Sequence, residues 1–257
     1  MKEDKEIKTQ NKTKIRIWTS TLLQKGSVIT LSEDQSHYLC NVMRLKNGME
    51  ILCFNARDGE YLTQIIKISK KETQIRVLEQ TRAATQTPDI WLMFSPIKKD
   101  RMDFLIEKAV ELGIKKLVPV ITQYGITDKL RSERIILQMV EASQQSERLD
   151  VPELKIPQKL EAILDNWDQS RILFFMDERR DGKSCAQVFN ENHSEKVAIL
   201  VGPEGGFSEQ EAKLLYSKPF VIPVSLGPRI LRAETAVVAS LSIWQAVSGD
   251  WKSKEEL

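Results

Sequence analysis

The feature that most constrains the fold is an alternation of apolar runs and helical patterns that begins at residue 90. The run IWLMFSP, residues 90–96, is almost continuously apolar, which is typical of a parallel strand buried on both faces. Further strand-like runs are residues 116–121, 171–177, 196–202 and 220–226, and helical patterns begin near residues 100, 131, 208 and 233. This alternation predicts an α/β domain with a parallel sheet.

The first third of the chain consists instead of short strand-like segments separated by tight-turn dipeptides. The segments are residues 15–18, 27–31, 49–55, 60–69 and 73–80, and the dipeptides are Lys25-Gly26, Asn47-Gly48 and Asp58-Gly59. A short helix is predicted to start at Ser32. We predict a disordered tail over residues 1–14, a small, mostly antiparallel β-barrel over 15–82, a linker over 83–89 and the α/β domain over 90–257.

The charge distribution favours contact between the first part of the chain and a polyanion. The net charge is +2, but residues 1–82 carry 15 basic against 10 acidic side chains, and the remainder carries 23 against 26. A basic first part favours RNA or DNA as a partner. Because several of these charges lie in the N-terminal tail, a merely solvated terminus is the alternative.

The cysteine and histidine content argues against metal and disulfide chemistry. Cys40, Cys53 and Cys185 have neither metal-like nor disulfide-like spacing, so we expect small buried residues in a reducing cytoplasm. Two histidines make a zinc site unexpected. No apolar run approaches the roughly 18–20 residues of a membrane span, and the charged start lacks the apolar region of a secretory signal. We therefore expect a cytoplasmic protein without a membrane partner.

Two glycine-containing turns each lie between a predicted strand and a predicted helix. The first, in LVGPEGGFSEQE (200–211), leads into a capping box of Ser208 and Glu211. It lacks the motif of a phosphate-binding P-loop, and Glu204 would repel a phosphate. The dinucleotide fingerprint is also missing, which counts against a nicotinamide-dependent oxidoreductase. Taken alone, this turn has an alternative interpretation, in which its role is purely structural and it binds no ligand.

The second turn, in SLGPRILRAETAVVASL (225–241), repeats the same design. In its helix Val237, Val238, Leu241 and Trp244 recur with helical spacing and are predicted to pack in the core. Two such turns side by side would offer backbone N–H and C=O groups to a ligand. We predict a pocket for a nucleoside-like ligand without phosphates.

The paired segments GPEGGFSEQE and LGPRILRAETA resemble the two C-terminal motifs of the RsmE family of 16S ribosomal RNA uridine N3-methyltransferases, of the SPOUT superfamily. The resemblance covers nearly the whole chain. RMDFLIEKAVELGI (101–114) resembles the family's first α/β segment, and Gln145-Ser146, Arg148 and Val151-Pro152 resemble its central pattern. Weaker similarities to its PUA-like barrel are Arg16-Ile17-Trp18, His37-Tyr38-Leu39, Val42-Met43-Arg44 and Gly59-Glu60-Tyr61.

The resemblance implies a SPOUT-type α/β domain with a deep C-terminal trefoil knot, preceded by a small PUA-like β-barrel. It also implies S-adenosylmethionine as cofactor, a homodimer through the knotted domain, and a uridine of 16S ribosomal RNA in the decoding region of the assembled 30S subunit as substrate. The implied cofactor-binding residues are Met176, Leu200, Gly202, Gly205, Leu226, Gly227, Ile230 and Leu231.

Arg232 and Glu234 are the predicted catalytic residues, with Arg229 as the second candidate for the arginine. The alternative is that Glu234 favours its helix N-terminus and that Arg232 simply pairs with it. For RNA binding we predict a set of basic side chains: Arg16, His37, Arg44, Lys98 and Arg101. The alternatives are that His37 has a structural role and that Lys98 and Arg101 belong to a solvated face.

The chain departs from the family pattern at two places. Gln123-Tyr124-Gly125 replaces a Glu-Arg-Ser-like triplet, and Glu147 replaces a glycine. We expect both departures to affect local RNA contacts or an interface, and neither to touch the cofactor loops. Two alternative functions stay open: another SPOUT RNA methyltransferase, acting on ribose 2′-O or guanine N1, and an RNA-binding ribosome assembly factor without catalysis.

Overall fold

The computed structural model describes residues 15–126, 130–179 and 182–251. The chain divides into two compact units, one of residues 1–86 with 147–150 and one of residues 87–146 with 151–257. We call them the N-terminal and the C-terminal unit. The predicted tail, residues 1–14, lies outside the described residues, and the predicted domain boundaries stay predictions.

The N-terminal unit is built on a five-stranded sheet. Its elements are β1 (Arg16–Trp18), β2 (Val28–Thr30), α1 (Glu33–His37), a π-helical turn (Tyr38–Val42), β3 (Glu50–Asn55), β4 (Gly59–Ile68) and β5 (Thr73–Arg82). The strand order is β1-β3-β4-β5-β2, antiparallel except for the parallel pair β1 and β3. The helix start predicted at Ser32 is confirmed, because Ser32 and Gln35 form a capping box.

Residues 147–150 belong to the N-terminal unit although they lie far along the chain. The guanidinium of Arg82 donates to the carbonyl oxygen of Glu147 at 2.9 Å, and that of Arg16 donates to the carbonyl oxygen of Arg148 at 2.8 Å. Glu147 has a φ of 60°, a left-handed conformation that costs a non-glycine residue free energy. The family's glycine would adopt this conformation without strain.

Replacing Glu147 with glycine is therefore expected to raise the free energy of unfolding, by about 0.5–1 kcal/mol. The backbone carbonyl that accepts from Arg82 is kept in this variant. Glu141→Gly is the matched control, because Glu141 is exposed inside a helix, where the same exchange costs about 1 kcal/mol. Urea unfolding should show opposite signs for the two variants, and a loss of stability in Glu147→Gly would contradict the strain.

The C-terminal unit is an α/β unit with a parallel sheet. Its elements are β6 (Asp89–Phe94), α2 (Lys99–Glu111), β7 (Lys116–Ile121), α3 (Ser132–Gln145), β8 (Glu153–Leu154), β9 (Gln158–Lys159), α4 (Leu160–Asp165), β10 (Ile172–Met176), β11 (Lys183–Ser184), α5 (Cys185–Glu191), β12 (Lys196–Val201), α6 (Glu209–Tyr216), β13 (Val221–Ser225) and α7 (Ala233–Val247). The strand order is β11-β13-β10-β12-β6-β7-β8, with β9 on β7. The predicted α/β class is confirmed.

The sheet of the C-terminal unit is covered on both faces, as its continuous apolar strands predicted. Alternate residues of β6 enter two different clusters, with Leu92 and Phe94 in one and Trp91 and Met93 in the other. On α7 the predicted core residues Val237, Leu241 and Trp244 are buried. The same prediction is wrong for Val238, which is only half-buried.

Burial makes the thiols of two of the three cysteines less reactive than the third. Burial raises the pKa of Cys53 to about 12 and that of Cys185 to about 12, whereas Cys40 is partly exposed. Only the thiolate reacts with alkylating agents, so the two buried thiols are protected near pH 8. We expect iodoacetamide to modify Cys40 alone in the folded protein, and all three in urea. Peptide mass mapping checks this, and native labelling of Cys53 or Cys185 would contradict it.

Within the described ranges, no helix has both the length and the apolar character needed to cross a membrane. Nor do three or more histidine, cysteine or acidic side chains within these ranges converge as a metal site would require.

Candidate active site

A cavity opens where three neighbouring parallel strands of the C-terminal unit end. It is lined from the ends of β10, β12 and β13 and from the segment that enters α7, and the residues are Met176, Asp177, Glu178, Val201, Gly202, Pro203, Glu204, Phe207, Val224, Leu226, Gly227, Arg229, Ile230, Leu231, Ala233 and Ala236. Carboxyl ends of parallel strands are the usual ligand-binding edge of such sheets. Both predicted glycine turns therefore lie at one cavity.

The sequence suggested two glycine turns side by side. In the structure, the strands that precede them are not adjacent. β10 lies between β13 and β12, with Met176 opposite Val224 and Phe175 opposite Leu200. The end of β10 therefore supplies a third wall, which begins at Met176.

The first loop, residues 202–208, is held in shape from inside. Gly206 has a φ of 68° and donates its N–H to the carbonyl oxygen of Pro203 at 2.9 Å, closing a turn. A side chain at Gly202 would come within 2.6 Å of the Phe207 ring. The predicted capping box is confirmed, since Ser208 accepts from the Glu211 N–H at 3.2 Å and donates its own N–H to the Glu211 carboxylate at 2.8 Å.

The triplet Gln123-Tyr124-Gly125 contacts this first loop, so the expectation that this departure lies away from the cofactor loops is wrong. The backbone N–H of Gln123 donates to Glu211 Oε1 at 2.8 Å. A Cβ on Gly205 would lie 3.0 Å from Tyr124 Cβ. The loop after β7 therefore supports the loop after β12, and a change of sequence there reaches the cavity.

The second loop, residues 226–232, exposes the apolar side chain of Ile230 together with the charged side chains of Arg229 and Arg232. Gly227 has a φ of 101°, which favours glycine, and has open space where a Cβ would stand. Ile230 lines the cavity and is nevertheless 83% exposed. Arg232 begins α7 as its N-cap residue, without a side-chain cap, and is exposed.

Arg101 joins the first loop to the first turn of α7. Its Nη1 lies 3.3 Å from Glu204 Oε1 in the first loop, and its Nε lies 3.7 Å from Glu234 Oε1 in the first turn of α7. Glu234 Oε2 is buried and has no hydrogen-bond partner within the described ranges. The alternative interpretation, in which Glu234 pairs with Arg232, is not what the structure has: its ion pair is with Arg101.

Of the predicted cofactor residues, six line the cavity and two do not. The six are Met176, Gly202, Leu226, Gly227, Ile230 and Leu231. Leu200 is fully buried in β12, and Gly205 packs on Tyr124. Arg229, the second catalytic candidate, lines the cavity, whereas Arg232 does not. The role of each of these residues stays a prediction.

Sequence reasoning missed Asp177 and Glu178, which follow β10 directly and line the cavity. Asp177 is only 5% exposed. Its Oδ1 accepts from the Arg179 N–H at 3.0 Å, and its Oδ2 accepts from the Tyr216 hydroxyl. The available signal was an acidic pair at the end of a predicted strand, but its significance depends on β10 lying between the two loops.

The predicted RNA-binding residues fall into different environments. Arg16 is 7% exposed, lies 2.7 Å from Glu60 and stacks over the Phe54 ring, so its guanidinium is bound inside the N-terminal unit and does not suit RNA contact. His37 and Arg44 are exposed on the same unit. Lys98 is exposed at the start of α2. Arg101 forms the ion pairs with Glu204 and Glu234 described above.

Comparison with known proteins identifies the family. Residues 85–245 match the model of an RNA methyltransferase domain, and residues 31–78 match that of an RNA methyltransferase PUA domain. The chain is 32% identical over 228 residues to the ribosomal RNA small subunit methyltransferase E of Rickettsia conorii, covering 88% of this chain and 93% of that protein. This chain belongs to the ribosomal RNA small subunit methyltransferase E family. The predicted family, enzyme class and PUA-like first domain are confirmed.

Two solved structures of methyltransferases resemble more than nine-tenths of the chain. The ribosomal RNA small subunit methyltransferase E of Neisseria gonorrhoeae, bound to S-adenosyl methionine, is 27% identical with a TM-score of 0.83, covering 93% of this chain and 100% of that one. A methyltransferase of Legionella pneumophila, in complex with the same cofactor, is 28% identical with a TM-score of 0.82, covering 91% and 98%. The similarity therefore includes both units of this chain.

Proposed function

We propose that this protein transfers the methyl group of S-adenosylmethionine to N3 of a uridine in 16S ribosomal RNA. The observation that carries the proposal is the cavity at the ends of β10, β12 and β13, formed by the same two loops that resemble the family's motifs. Relatives named ribosomal RNA small subunit methyltransferase E, and two similar structures with bound cofactor, support it.

The residues of the cavity fit this cofactor. Backbone groups of the Gly202 and Gly227 loops suit the hydrogen-bonding edge of an adenine, and Leu226 and Leu231 offer apolar packing. Ile230, exposed and apolar, would be covered by an occupant. Acidic lining side chains suit a cation better than a phosphate. When bound, the cofactor supplies an electrophilic methyl group on a sulfonium.

The chain's own part in the chemistry is to orient uracil and to stabilise its deprotonated N3. The negative charge of that anion spreads onto O2 and O4, where a guanidinium stabilises it as it develops. Arg232 is exposed between the lining residues Leu231 and Ala233 and is assigned this role. Glu234, whose Oε1 lies 3.7 Å from Arg101 Nε and whose Oε2 has no hydrogen-bond partner within the described ranges, is assigned to accept the proton.

The wider context follows the family resemblance. The substrate is the decoding region of the assembled 30S subunit, the protein is a cytoplasmic homodimer joined through the C-terminal unit, and that unit carries the trefoil knot. Support for an unusual threading comes from the strand order, in which β13, the last strand, lies beside β10 instead of beside β12.

RNA contact by the N-terminal unit is tested best at Arg44. Arg44 is exposed and has a φ of 53°, so glycine removes the guanidinium and also relieves backbone strain. We expect Arg44→Gly to weaken RNA binding about threefold to tenfold, to lower its salt dependence by about one ion, and not to lower stability. Filter binding between low and moderate salt checks this. Unchanged affinity and salt dependence would remove Arg44 from the interface.

The proposed reaction is tested with labelled S-adenosylmethionine and three substrates: 30S particles that lack the modification, free 16S RNA and 50S particles. We expect label in 30S particles above all. Label in ribose or guanine would favour the alternative SPOUT activities. Cofactor binding without any transfer would favour the assembly factor.

A further inference from the structure

We propose that Asp177 makes the cavity select the positively charged cofactor over its neutral demethylated product. The inference rests on the proposed function, because it assumes S-adenosylmethionine in the cavity. Methyl transfer breaks the bond between sulfur and methyl carbon, and the electron pair of that bond stays on sulfur. The sulfonium cation thereby becomes a neutral thioether, so a charge-sensitive cavity holds the substrate form and releases the product form.

The lining of the cavity carries an excess of negative charge. Among the residues that the structure describes, Asp177, Glu178 and Glu204 line it, against a single basic lining residue, Arg229. These three carboxylates are not equivalent. Glu204 is paired with Arg101 at 3.3 Å, and Glu178 is exposed to solvent, which screens its charge.

Asp177 is the carboxylate whose charge is least compensated. It is 5% exposed, and its two oxygens accept from neutral groups, the Arg179 backbone N–H and the Tyr216 hydroxyl. Among the residues that the structure describes, no lysine or arginine forms an ion pair with it. A buried carboxylate with only neutral donors favours a cation nearby, and low surrounding dielectric lengthens the reach of that attraction.

The position of Asp177 brings this charge to the cofactor. It directly follows Met176, the last residue of β10, between the loops of β12 and β13. The Tyr216 hydroxyl, from α6, and the Asp177 N–H, bonded to the Val224 carbonyl at 2.9 Å, fix its place. Asp177 is therefore a fixed negative charge on the wall, and it discriminates by charge without needing to touch the reacting atoms.

The test compares three ligands by isothermal titration calorimetry in the unaltered protein and in Asp177→Asn. S-adenosylmethionine carries the sulfonium, S-adenosylhomocysteine lacks it, and sinefungin carries a protonated amine in its place. In the variant we expect about tenfold weaker binding of the two cationic ligands and less than about threefold change for S-adenosylhomocysteine. Equal weakening of all three, as a structural or ribose-binding role would give, overturns the inference.

A control variant accompanies the test. Asp168→Asn removes an exposed carboxylate at the opposite end of β10, outside the cavity. It is expected to leave the ratio of the dissociation constants for cofactor and product within about twofold. An equal or larger shift in this variant than in Asp177→Asn would overturn the assignment to Asp177.

The affinities of the unaltered protein for the three ligands test the inference even if the Asp177→Asn variant does not fold. In the unaltered protein, S-adenosylmethionine and sinefungin are expected to bind at least about tenfold more tightly than S-adenosylhomocysteine. Equal affinities overturn the inference while leaving the proposed function standing. If the unaltered protein binds none of the three ligands, the proposed function fails as well.

Discussion

Replacing Arg232 with alanine is expected to lower the turnover number for methyl transfer about 100-fold or more, while the dissociation constant of S-adenosylmethionine changes less than about threefold. The reason is that the guanidinium stabilises charge that develops on uracil only as N3 loses its proton. Arg232 is exposed and makes no cap for α7, so its loss leaves the helix intact.

Arg131→Ala is the matched control for this experiment. Arg131 is also an exposed N-cap residue without a side-chain cap, at the start of α3, and its removal is expected to leave turnover within about twofold. Glu234→Ala removes the ion-pair partner of Arg101. This variant is also expected to lower the turnover number when Arg232 is kept. Normal turnover in both Arg232→Ala and Glu234→Ala would end the catalytic assignment, and a large loss in Arg229→Ala alone would transfer the role to Arg229.

Replacing Gly59 with alanine is expected to destabilise the N-terminal unit by about 3 kcal/mol or more. Gly59 has a φ of 82°, and an added Cβ would lie 2.3 Å from the Arg82 carbonyl oxygen and 2.7 Å from the Ala84 nitrogen. Both neighbours are backbone atoms, so relief requires the end of β5 to move away from the β3–β4 hairpin.

Gly48→Ala separates the two causes of this loss. Gly48 has a φ of 87°, like Gly59, but open space where its Cβ would stand. We therefore expect a loss of only about 1 kcal/mol, from backbone strain alone. Hydrogen exchange of the β3 and β4 amides measures both losses within the N-terminal unit. Equal losses in the two variants would contradict the steric part of the account.

The sequence predicted those features that depend on neighbouring residues. The strand-to-helix turns, the capping box of Ser208 and Glu211 and the helix of residues 233–247 all follow local rules, and each is present. Two short C-terminal motifs were among the segments that carried the family resemblance, and the loops that contain them share a cavity.

The features that were missed depend on contacts between distant parts of the chain. Arg16 looked like a surface cation because nothing in its own segment indicates Glu60, its buried partner 44 residues away. Arg101 meets Glu204 across 103 residues. The insertion of β10 between β13 and β12 brought in Asp177, and no local pattern specifies the order of strands in a sheet.

The central claim is most directly tested by nucleoside mass spectrometry of 16S RNA from 30S particles that lack the modification, after incubation with the protein and S-adenosylmethionine. We expect 3-methyluridine at a single position, and none after incubation with Arg232→Ala for the same time. Methylated ribose, methylated guanine or an unchanged nucleoside profile from particles incubated with the active protein would contradict the claim.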